Sequence, residues 1–183
     1  MDHQIGTTKK LRVHKDQLQA PPHVQDFDWD TWQAGIKATL VFVHQADQVL
    51  LIEKKTGLGK GKINAPGGKV EAGESWQACA QRELLEEVNL HVDVITHMAT
   101  LRFLMSDYAD IECHVFFTND FKGIAQESPE ARPFWCPKDQ IPFHLMWEDD
   151  QYWLPRALAG ERLDCYFSFL GEKMCSHHIK TLM

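Results

Sequence analysis

No other feature constrains this chain as strongly as a glycine pair followed by a short loop and a helix with three glutamates on one side. Residues 75–88 contain no glycine or proline and are rich in Ala, Gln, Glu and Leu, which predicts a helix. Glu83, Glu86 and Glu87 stand at positions i, i+3 and i+4, so their carboxylates share one narrow arc. Divalent cations need such closely spaced oxygens, although an arc like this, taken alone, is more often an ordinary solvated surface.

The residues around the arc complete a longer pattern. The chain reads Gly68, five residues, Glu74, seven residues, then RELLEE, one residue, Asn89 and Leu90. This spacing resembles the signature motif of the Nudix hydrolase superfamily, and only Asn89 departs from it, because the family usually has glycine there. Asn is the next most favourable residue for the left-handed conformation at a helix end, so the departure preserves the backbone.

The resemblance implies an α+β fold, a single domain with a mixed β-sheet packed between helices, and hydrolysis of a nucleoside diphosphate linked to another moiety. It implies Mg²⁺ as cofactor, with Mn²⁺ as a substitute, to neutralise the pyrophosphate and activate a water. Arg82 and Glu74 match a structural pair that anchors the loop to the helix. Which glutamate is the general base stays open. The residues that match metal ligands and catalytic groups are Gly68, Glu83, Glu86 and Glu87.

Two further groups lie outside the motif. Glu130 precedes a predicted strand, where a loop could bring it over the helix as a fourth carboxylate for metal binding and catalysis. Glu127 is the neighbouring alternative, and an ordinary surface-loop role would suit either residue equally well. Four lysines stand within residues 54–62, and we take Lys54 as the phosphate contact, although lysines on a hairpin edge also serve solubility.

Beyond the motif, residues 39–171 resemble, in the same order, the MutT-type branch of the family that hydrolyses oxidised purine nucleoside triphosphates such as 8-oxo-dGTP. The matching stretches include CHVFFTNDFKGIAQESPEARPFW and DQIPFHLMWEDDQYW. In that branch an asparagine before the glycine loop and two adjacent aspartates read the base, while a tryptophan stacks on it. The residues that match these roles are Asn64, Asp149, Asp150 and Trp147. The residues that match pocket-lining positions are Thr39, Leu58, Phe103 and Met105.

The chemistry of these residue types suits a purine. Adjacent carboxylates in a partly apolar pocket repel each other, so one is driven towards its protonated form near neutral pH. A protonated and an ionised aspartate then offer a donor and an acceptor, and the amide of Asn64 offers both. The alternative for Asp149 and Asp150 is an N-terminal helix cap, and the alternative for Trp147 is core packing.

Composition limits the compartment and the partners. The net charge of −7 disfavours unspecific binding to a nucleic-acid backbone. Five cysteines, an odd number without C-x-x-C spacing, favour a reducing cytoplasm over a disulfide framework or a zinc site. No apolar run approaches the length of a membrane span, and the N-terminus shows no secretory signal. We therefore expect a cytoplasmic monomer or homodimer whose partner is a small-molecule nucleotide rather than a nucleic acid or a membrane.

Hydrophobic patterning divides the chain into an N-terminal extension, residues 1–33, and one Nudix hydrolase domain, residues 34–183. The extension is polar, contains Pro21-Pro22 and shows no sustained period, which is typical of a segment that is either mobile or draped over a domain. The pattern further predicts strands at residues 36–44, 48–54, 90–95, 97–105, 111–118 and 132–136, a loop at 56–68, a second helix at 153–158 and a final hairpin from 163.

Three functions compete for these residues. The first is sanitation of the nucleotide pool, in which oxidised purine (deoxy)nucleoside triphosphates such as 8-oxo-dGTP are converted to the monophosphate and pyrophosphate. The second is hydrolysis of another nucleotide: unmodified dGTP or dATP, a nucleoside diphosphate sugar, or a 5′-triphosphorylated RNA. The predicted base-reading residues and the lack of basic charge argue against the sugar and the RNA. The third, a non-catalytic nucleotide sensor, ranks last because every carboxylate of the motif is intact.

Overall fold

A computed structural model describes residues 20–183 of the protein. Within them, runs of β-branched and aromatic residues form eight strands, and two segments form α-helices. The strands are β1 (Ile36–Gln45), β2 (Gln48–Lys54), β3 (Ile63–Asn64), β4 (Thr96–Met105), β5 (Ile111–Thr118), β6 (Ala131–Pro137), β7 (Arg162–Leu170) and β8 (Lys173–Leu182). The helices are α1 (Trp76–Val88) and α2 (Asp150–Leu158), and two 3₁₀ turns cover Lys138–Gln140 and Phe143–Leu145.

These strands belong to one mixed sheet whose main path runs β3-β2-β1-β5-β4-β7-β8, with β6 paired to β2. β1 lies parallel to β5 and β4 lies parallel to β7, while the other neighbours are antiparallel. The pairing of β6 with β2 sets Ala131 opposite Lys54, which brings the preceding residue, Glu130, next to the lysine-rich end of β2.

Helix α1 begins and ends at the residues that its sequence predicts. The Ser75 hydroxyl accepts a hydrogen bond from the Ala78 N–H at 3.1 Å, and Asn89 takes the left-handed conformation with φ of 60°. Leu84 and Val88 are fully buried in a cluster with side chains of β1 and β2. This packing fixes the rotation of the helix about its axis, and with it the direction in which the glutamates point.

Alternate residues of β1 point to opposite faces of the sheet. Val41 packs in the cluster that contains α1, whereas Phe42 packs in the cluster that contains α2. The ring of Phe42 meets Trp153 of α2 edge-on, with centroids 5.8 Å apart. The sheet therefore lies between the two helices, and the predicted α+β class with a mixed sheet is confirmed.

Three predicted boundaries need correction. Residues 90–95 are not a strand: His91 forms only an isolated bridge with Lys122, and the next strand begins at Thr96. Leu90 and Val92 are buried, so packing rather than strand pairing explains these two apolar residues, while Val94 is exposed. The predicted loop at 56–68 contains the short strand β3, and α2 begins at Asp150, before the predicted start at 153.

The part of the predicted extension that the structure describes, residues 20–33, lies against the sheet, whereas residues 1–19 fall outside the described residues. The buried Val24 donates its N–H to the Ser176 hydroxyl of β8 at 3.0 Å. Trp29 packs edge-on against Tyr166 of β7, with ring centroids 4.7 Å apart. We call residues 20–35 the strap. The domain boundary after residue 33 stays a prediction.

Candidate active site

A cavity of about 380 Å³ is enclosed by residues from the glycine loop, α1, β4, β5 and the segment before α2. Of the predicted site residues, Glu86 does not line it. The other predicted residues do: Thr39, Lys54, Leu58, Asn64, Gly68, Glu83, Glu87, Phe103, Met105, Glu130, Trp147, Asp149 and Asp150. The fold thus brings residues that are far apart in the sequence to one cavity.

The glycine pair lets the loop approach β1 and α1 more closely than side chains would allow. A Cβ at Gly67 would lie 2.0 Å from the carbonyl oxygen of Thr39, which is far inside van der Waals contact. The Gly67 N–H donates to Glu87 Oε2 at 2.9 Å, and the Gly68 carbonyl accepts from the Thr39 N–H at 2.9 Å. The loop is therefore hydrogen-bonded to both elements that flank the cavity.

Glu87 is the most enclosed of the three arc carboxylates, with 3% of its side chain exposed. Burial raises its pKa, and the Lys54 ammonium, 3.4 Å from Oε1, acts in the opposite direction, as does the Gly67 N–H. One oxygen of Glu87 thus accepts a hydrogen bond from a backbone amide, while the other lies beside the Lys54 ammonium.

Arg82 holds the other two arc carboxylates and the loop. Its Nη1 donates to Glu83 Oε1 at 2.7 Å and to Glu86 Oε2 at 3.2 Å. Its Nε and Nη2 donate to the two oxygens of Glu74 at 2.8 and 2.9 Å, which lowers the pKa of Glu74 to about 2. Burial raises the pKa of Glu83, whereas Glu86 is 59% exposed. The predicted pair of Arg82 and Glu74 is present, and Arg82 also holds the carboxylates of Glu83 and Glu86 in place.

Glu130, rather than its neighbour Glu127, reaches the cavity. The Glu130 carbonyl accepts from the Lys55 N–H at 2.8 Å, which fixes the loop beside the end of β2. After burial and the charge of Glu86, the charge of Glu130 also raises the pKa of Glu83. Glu127 instead forms an ion pair with the Lys55 ammonium at 2.5 Å and does not line the cavity.

The oxygen groups beside the glycine loop have the chemistry to hold a divalent cation. A Cβ at Gly68 would lie 2.3 Å from a carboxylate oxygen of Glu83, so this carboxylate adjoins the loop backbone. Besides the Thr39 N–H, the Gly68 carbonyl accepts a long hydrogen bond from Cys79 Sγ at 3.8 Å, and hard oxygen donors such as this carbonyl suit Mg²⁺. Within residues 20–183, no three acidic, cysteine or histidine side chains are already grouped to hold a metal ion. One guanidinium nitrogen, Arg82 Nη1, donates to both Glu83 and Glu86.

Asp149 and Asp150 are almost fully buried, with 2% and 3% exposed. Trp153 Nε1 donates to Asp149 Oδ2 at 3.1 Å, and the Trp147 N–H donates to Asp150 Oδ2 at 3.1 Å. Asp149 Oδ1 is buried without a hydrogen-bond partner among the described residues. Asp149 stands at the N-cap position of α2, but its side chain makes no capping hydrogen bond to the helix.

The electrostatics of this pair favour the protonated form of at least one carboxyl. Burial raises the pKa of both carboxyls, and the charge of Asp149 raises the pKa of Asp150 further. A buried acceptor without a partner costs about 1–3 kcal/mol, so Asp149 Oδ1 is an atom that a donor on a ligand would satisfy. Together the pair can present one acceptor and one donor to the cavity.

Trp147 and Asn64 add an aromatic ring and an amide to the lining. The Trp147 ring meets Phe169 edge-on at a centroid distance of 5.9 Å, and the Lys62 ammonium lies 4.9 Å from the centroid of the Trp147 ring. Asn64 Oδ1 accepts from the Ala65 N–H at 2.8 Å, which leaves Nδ2 as a donor. The Trp147 ring therefore both packs against the core and lines the cavity.

Several lining residues were not predicted. Leu101, Ile111 and Cys113 line the cavity on the face of β4 and β5 that carries the predicted residues, so alternation along the paired strands could have identified them. Tyr108, in the turn between these strands, also lines the cavity and is 41% exposed. No sequence pattern points to Tyr108.

Residues 36–157 match the model of the NUDIX domain, so the chain belongs to the Nudix family. The chain is 41% identical over 141 residues to the oxidized purine nucleoside triphosphate hydrolase of Danio rerio, and these residues make up 76% of this chain and 90% of that protein. It is also 41% identical over 135 residues to the enzyme of the same name from Mus musculus, covering 73% and 86%. The crystal structure of the MutT protein from Bacillus halodurans is similar, with a TM-score of 0.69 and 25% identity over 79% of this chain and 97% of that one.

These similarities confirm the family, the fold and the hydrolase class that were predicted from the sequence. Nudix hydrolases generally use a divalent metal ion, and small nucleotides are substrates that suit the family. None of the helices in residues 20–183 combines the length and the apolar character that a membrane crossing requires.

Proposed function

We propose that this protein hydrolyses oxidised purine nucleoside triphosphates, such as 8-oxo-dGTP, to the monophosphate and pyrophosphate, and that its cation is Mg²⁺, with Mn²⁺ as a substitute. One observation carries the proposal: a single cavity is lined both by a buried aspartate pair and by the glutamates of the Nudix motif. The names of the relatives from Danio rerio and Mus musculus support the same substrate class.

The base is read by groups with a defined donor and acceptor character. Asp149 Oδ1 accepts from the purine edge, since it is buried without a partner among the described residues. Asp150, whose pKa is raised by burial and by the charge of Asp149, holds the proton and donates. Asn64 Nδ2 donates as well, and Trp147 stacks on the base, which contributes about 1–3 kcal/mol.

The triphosphate lies towards the glycine loop. Glu83, Glu87, Glu130 and the Gly68 carbonyl would hold the cation, which, when bound, supplies charge neutralisation of the pyrophosphate and polarises a phosphorus–oxygen bond. Glu86 would join this set after release from Arg82. The Gly67 N–H orients Glu87, and the Lys54 ammonium beside that carboxylate offers a positive charge to a phosphate oxygen.

The setting that we propose is the cytoplasmic nucleotide pool, with the enzyme as a monomer or homodimer. All five cysteines are free thiols, four of them buried, which suits a reducing compartment. The net charge of −7 does not favour a nucleic-acid partner.

A turnover assay with pyrophosphate detection tests the substrate class. The panel consists of 8-oxo-dGTP, dGTP, dATP, a pyrimidine triphosphate, a nucleoside diphosphate sugar and a 5′-triphosphorylated RNA, each with Mg²⁺ and with Mn²⁺. We expect the highest kcat/KM for an oxidised purine triphosphate. A higher value for dGTP, for the sugar or for the RNA would overturn the assignment, and tight nucleotide binding without turnover would favour the sensor.

A further inference from the structure

The strap contacts the β4–β5 hairpin from outside the part of the chain that matches the NUDIX domain. The match begins at residue 36, whereas Trp32 in the strap donates from Nε1 to Asp110 Oδ2 at 2.9 Å. Asp110 follows the turn between β4 and β5, and this hairpin supplies Phe103, Met105 and Tyr108 to the cavity wall. The strap is therefore in direct contact with the hairpin that forms the wall.

Asp110 links three segments of the chain. Its Oδ1 accepts from the Met105 N–H at 2.9 Å, its Oδ2 accepts from Trp32, and its carbonyl accepts from the Ile36 N–H at 3.0 Å. Met105 ends β4 and Ile36 begins β1, and both line the cavity. A change in the position of Asp110 is thus transmitted to two wall residues through direct hydrogen bonds.

The strap is itself anchored away from the cavity, so it can act as a fixed support. Val24 is hydrogen-bonded to β8, and Trp29 Nε1 donates to the Val24 carbonyl at 2.8 Å. The rings of Trp29 and Trp32 are in edge contact at 5.3 Å, which links this anchor to the residue that contacts the hairpin. Trp29 and Trp32 each use their indole N–H, one within the strap and one across to the hairpin.

We propose that Trp32 and Asp110 are positioning residues that set the purine selectivity of the cavity by holding the β4–β5 hairpin. This inference rests on the proposed function. The hairpin lines the cavity with side chains and contains none of the motif glutamates, so its displacement weakens nucleotide binding and leaves the chemical step in place. The strap thereby acts on KM rather than on kcat.

The test compares Trp32→Phe with Trp29→Phe in the full chain, since both remove one indole N–H and keep an aromatic ring. For Trp32→Phe we expect a KM for the best purine triphosphate raised about fivefold or more, with kcat within about twofold and a smaller preference between purines. Trp29→Phe removes one hydrogen bond within the strap but keeps the bond of Val24 to β8 and an aromatic ring between Trp32 and Tyr166, so it should stay within about twofold in both constants. Asp110→Asn, which replaces one of two acceptor oxygens by a donor, should exceed Trp32→Phe in its effect on KM.

Hydrogen exchange of the nucleotide-free proteins gives a readout that does not depend on activity. The amides of Met105 and Ile36 should exchange faster in Trp32→Phe than in Trp29→Phe, at matched thermal stability. Equal KM values and equal exchange at these amides in the two variants would overturn the proposal. If the wild-type protein turns over no purine triphosphate while the difference in exchange persists, the substrate class fails and the support of the hairpin by the strap stands.

Discussion

The exchange of Asp149 for Asn tests the acceptor of the base-reading pair with little change of shape. The amide oxygen can still accept from Trp153 Nε1, which donates to Asp149 Oδ2 at 3.1 Å, so the local fold is kept. An amide nitrogen then replaces Oδ1, the buried acceptor that has no protein partner among the described residues. A donor of the purine loses its acceptor, which costs about 1–3 kcal/mol, or about 5- to 150-fold in kcat/KM.

Asp150→Asn should be the milder change. The oxygen of the new amide would accept from the Trp147 N–H, as Asp150 does at 3.1 Å, and its nitrogen would donate as the protonated carboxyl does, so kcat/KM should stay within about fivefold. The two forms differ in their response to pH. In the wild type the donor is present below the raised pKa of Asp150 and is lost as the pH rises through it, so KM increases on the alkaline side. The amide has no such proton, and its KM should stay flat there.

The measurement is kcat and KM from about pH 5 to about pH 9 for 8-oxo-dGTP, dGTP and a pyrimidine triphosphate. Asp139→Asn is the matched control, because it makes the same Asp-to-Asn exchange in an exposed 3₁₀ turn that does not line the cavity. Equal losses in the two cavity variants, each with the pH profile of the wild type, would refute the reasoning. The pair would then serve only the packing of α2.

Two further predictions concern the glycine loop and the helix. Glu87→Gln should lower kcat about 100-fold or more. The melting temperature in metal-free buffer should hold or rise, because burial raises the pKa of this carboxyl and so disfavours its charged form. Near-normal turnover with saturating Mg²⁺ would show that Glu87 is not a catalytic group. Gly67→Ala should destabilise the fold by about 1–3 kcal/mol and lower kcat, because its Cβ would lie 2.0 Å from the Thr39 oxygen. Chemical denaturation compares it with Gly73→Ala, whose Cβ would meet nothing within 4 Å but whose φ of 81° makes Ala costly, so this control measures the backbone cost alone. Gly67→Ala should lose more stability than Gly73→Ala, and equal losses would contradict the prediction.

The elements that were predicted well have local signals. Ser75 and Asn89 mark the ends of α1 through interactions within a few residues, and the β1–β2 hairpin follows from two apolar runs around a short turn. Residues 90–95 show the limit of such signals. Leu90 and Val92 are buried while Val94 is 64% exposed, and a strand also requires a neighbour with free hydrogen-bonding groups along its length, whereas only Lys122 is paired there. That requirement depends on the whole sheet and is not visible in the segment.

The predicted site divides in the same way. The spacing within one helix placed Glu83 and Glu87 on a common side, and both line the cavity. The same spacing could not show that Arg82 would engage Glu83 and Glu86, because this depends on side-chain rotamers and on the loop that carries Glu74. The contact of the strap with Asp110 could not be predicted from the sequence for a similar reason, since it joins segments that meet only in the folded chain.

The pKa shifts of the acidic residues separate those that serve the cavity from those that serve the fold. Among the described residues, the carboxyls with a raised pKa all line the cavity, and burial is the main cause for each: Glu83, Glu87, Asp149 and Asp150. Those with a lowered pKa all lie outside the cavity lining and pair first with an arginine or a lysine: Glu74, Asp93, Glu127 and Glu161. A buried carboxyl whose charged form is disfavoured lowers stability unless a cation neutralises it or a hydrogen-bond partner satisfies it. A cation would do this for the glutamates, and a purine edge would do it for the aspartates. The carboxyls that lower the stability of the free protein are therefore the ones that its ligands stabilise.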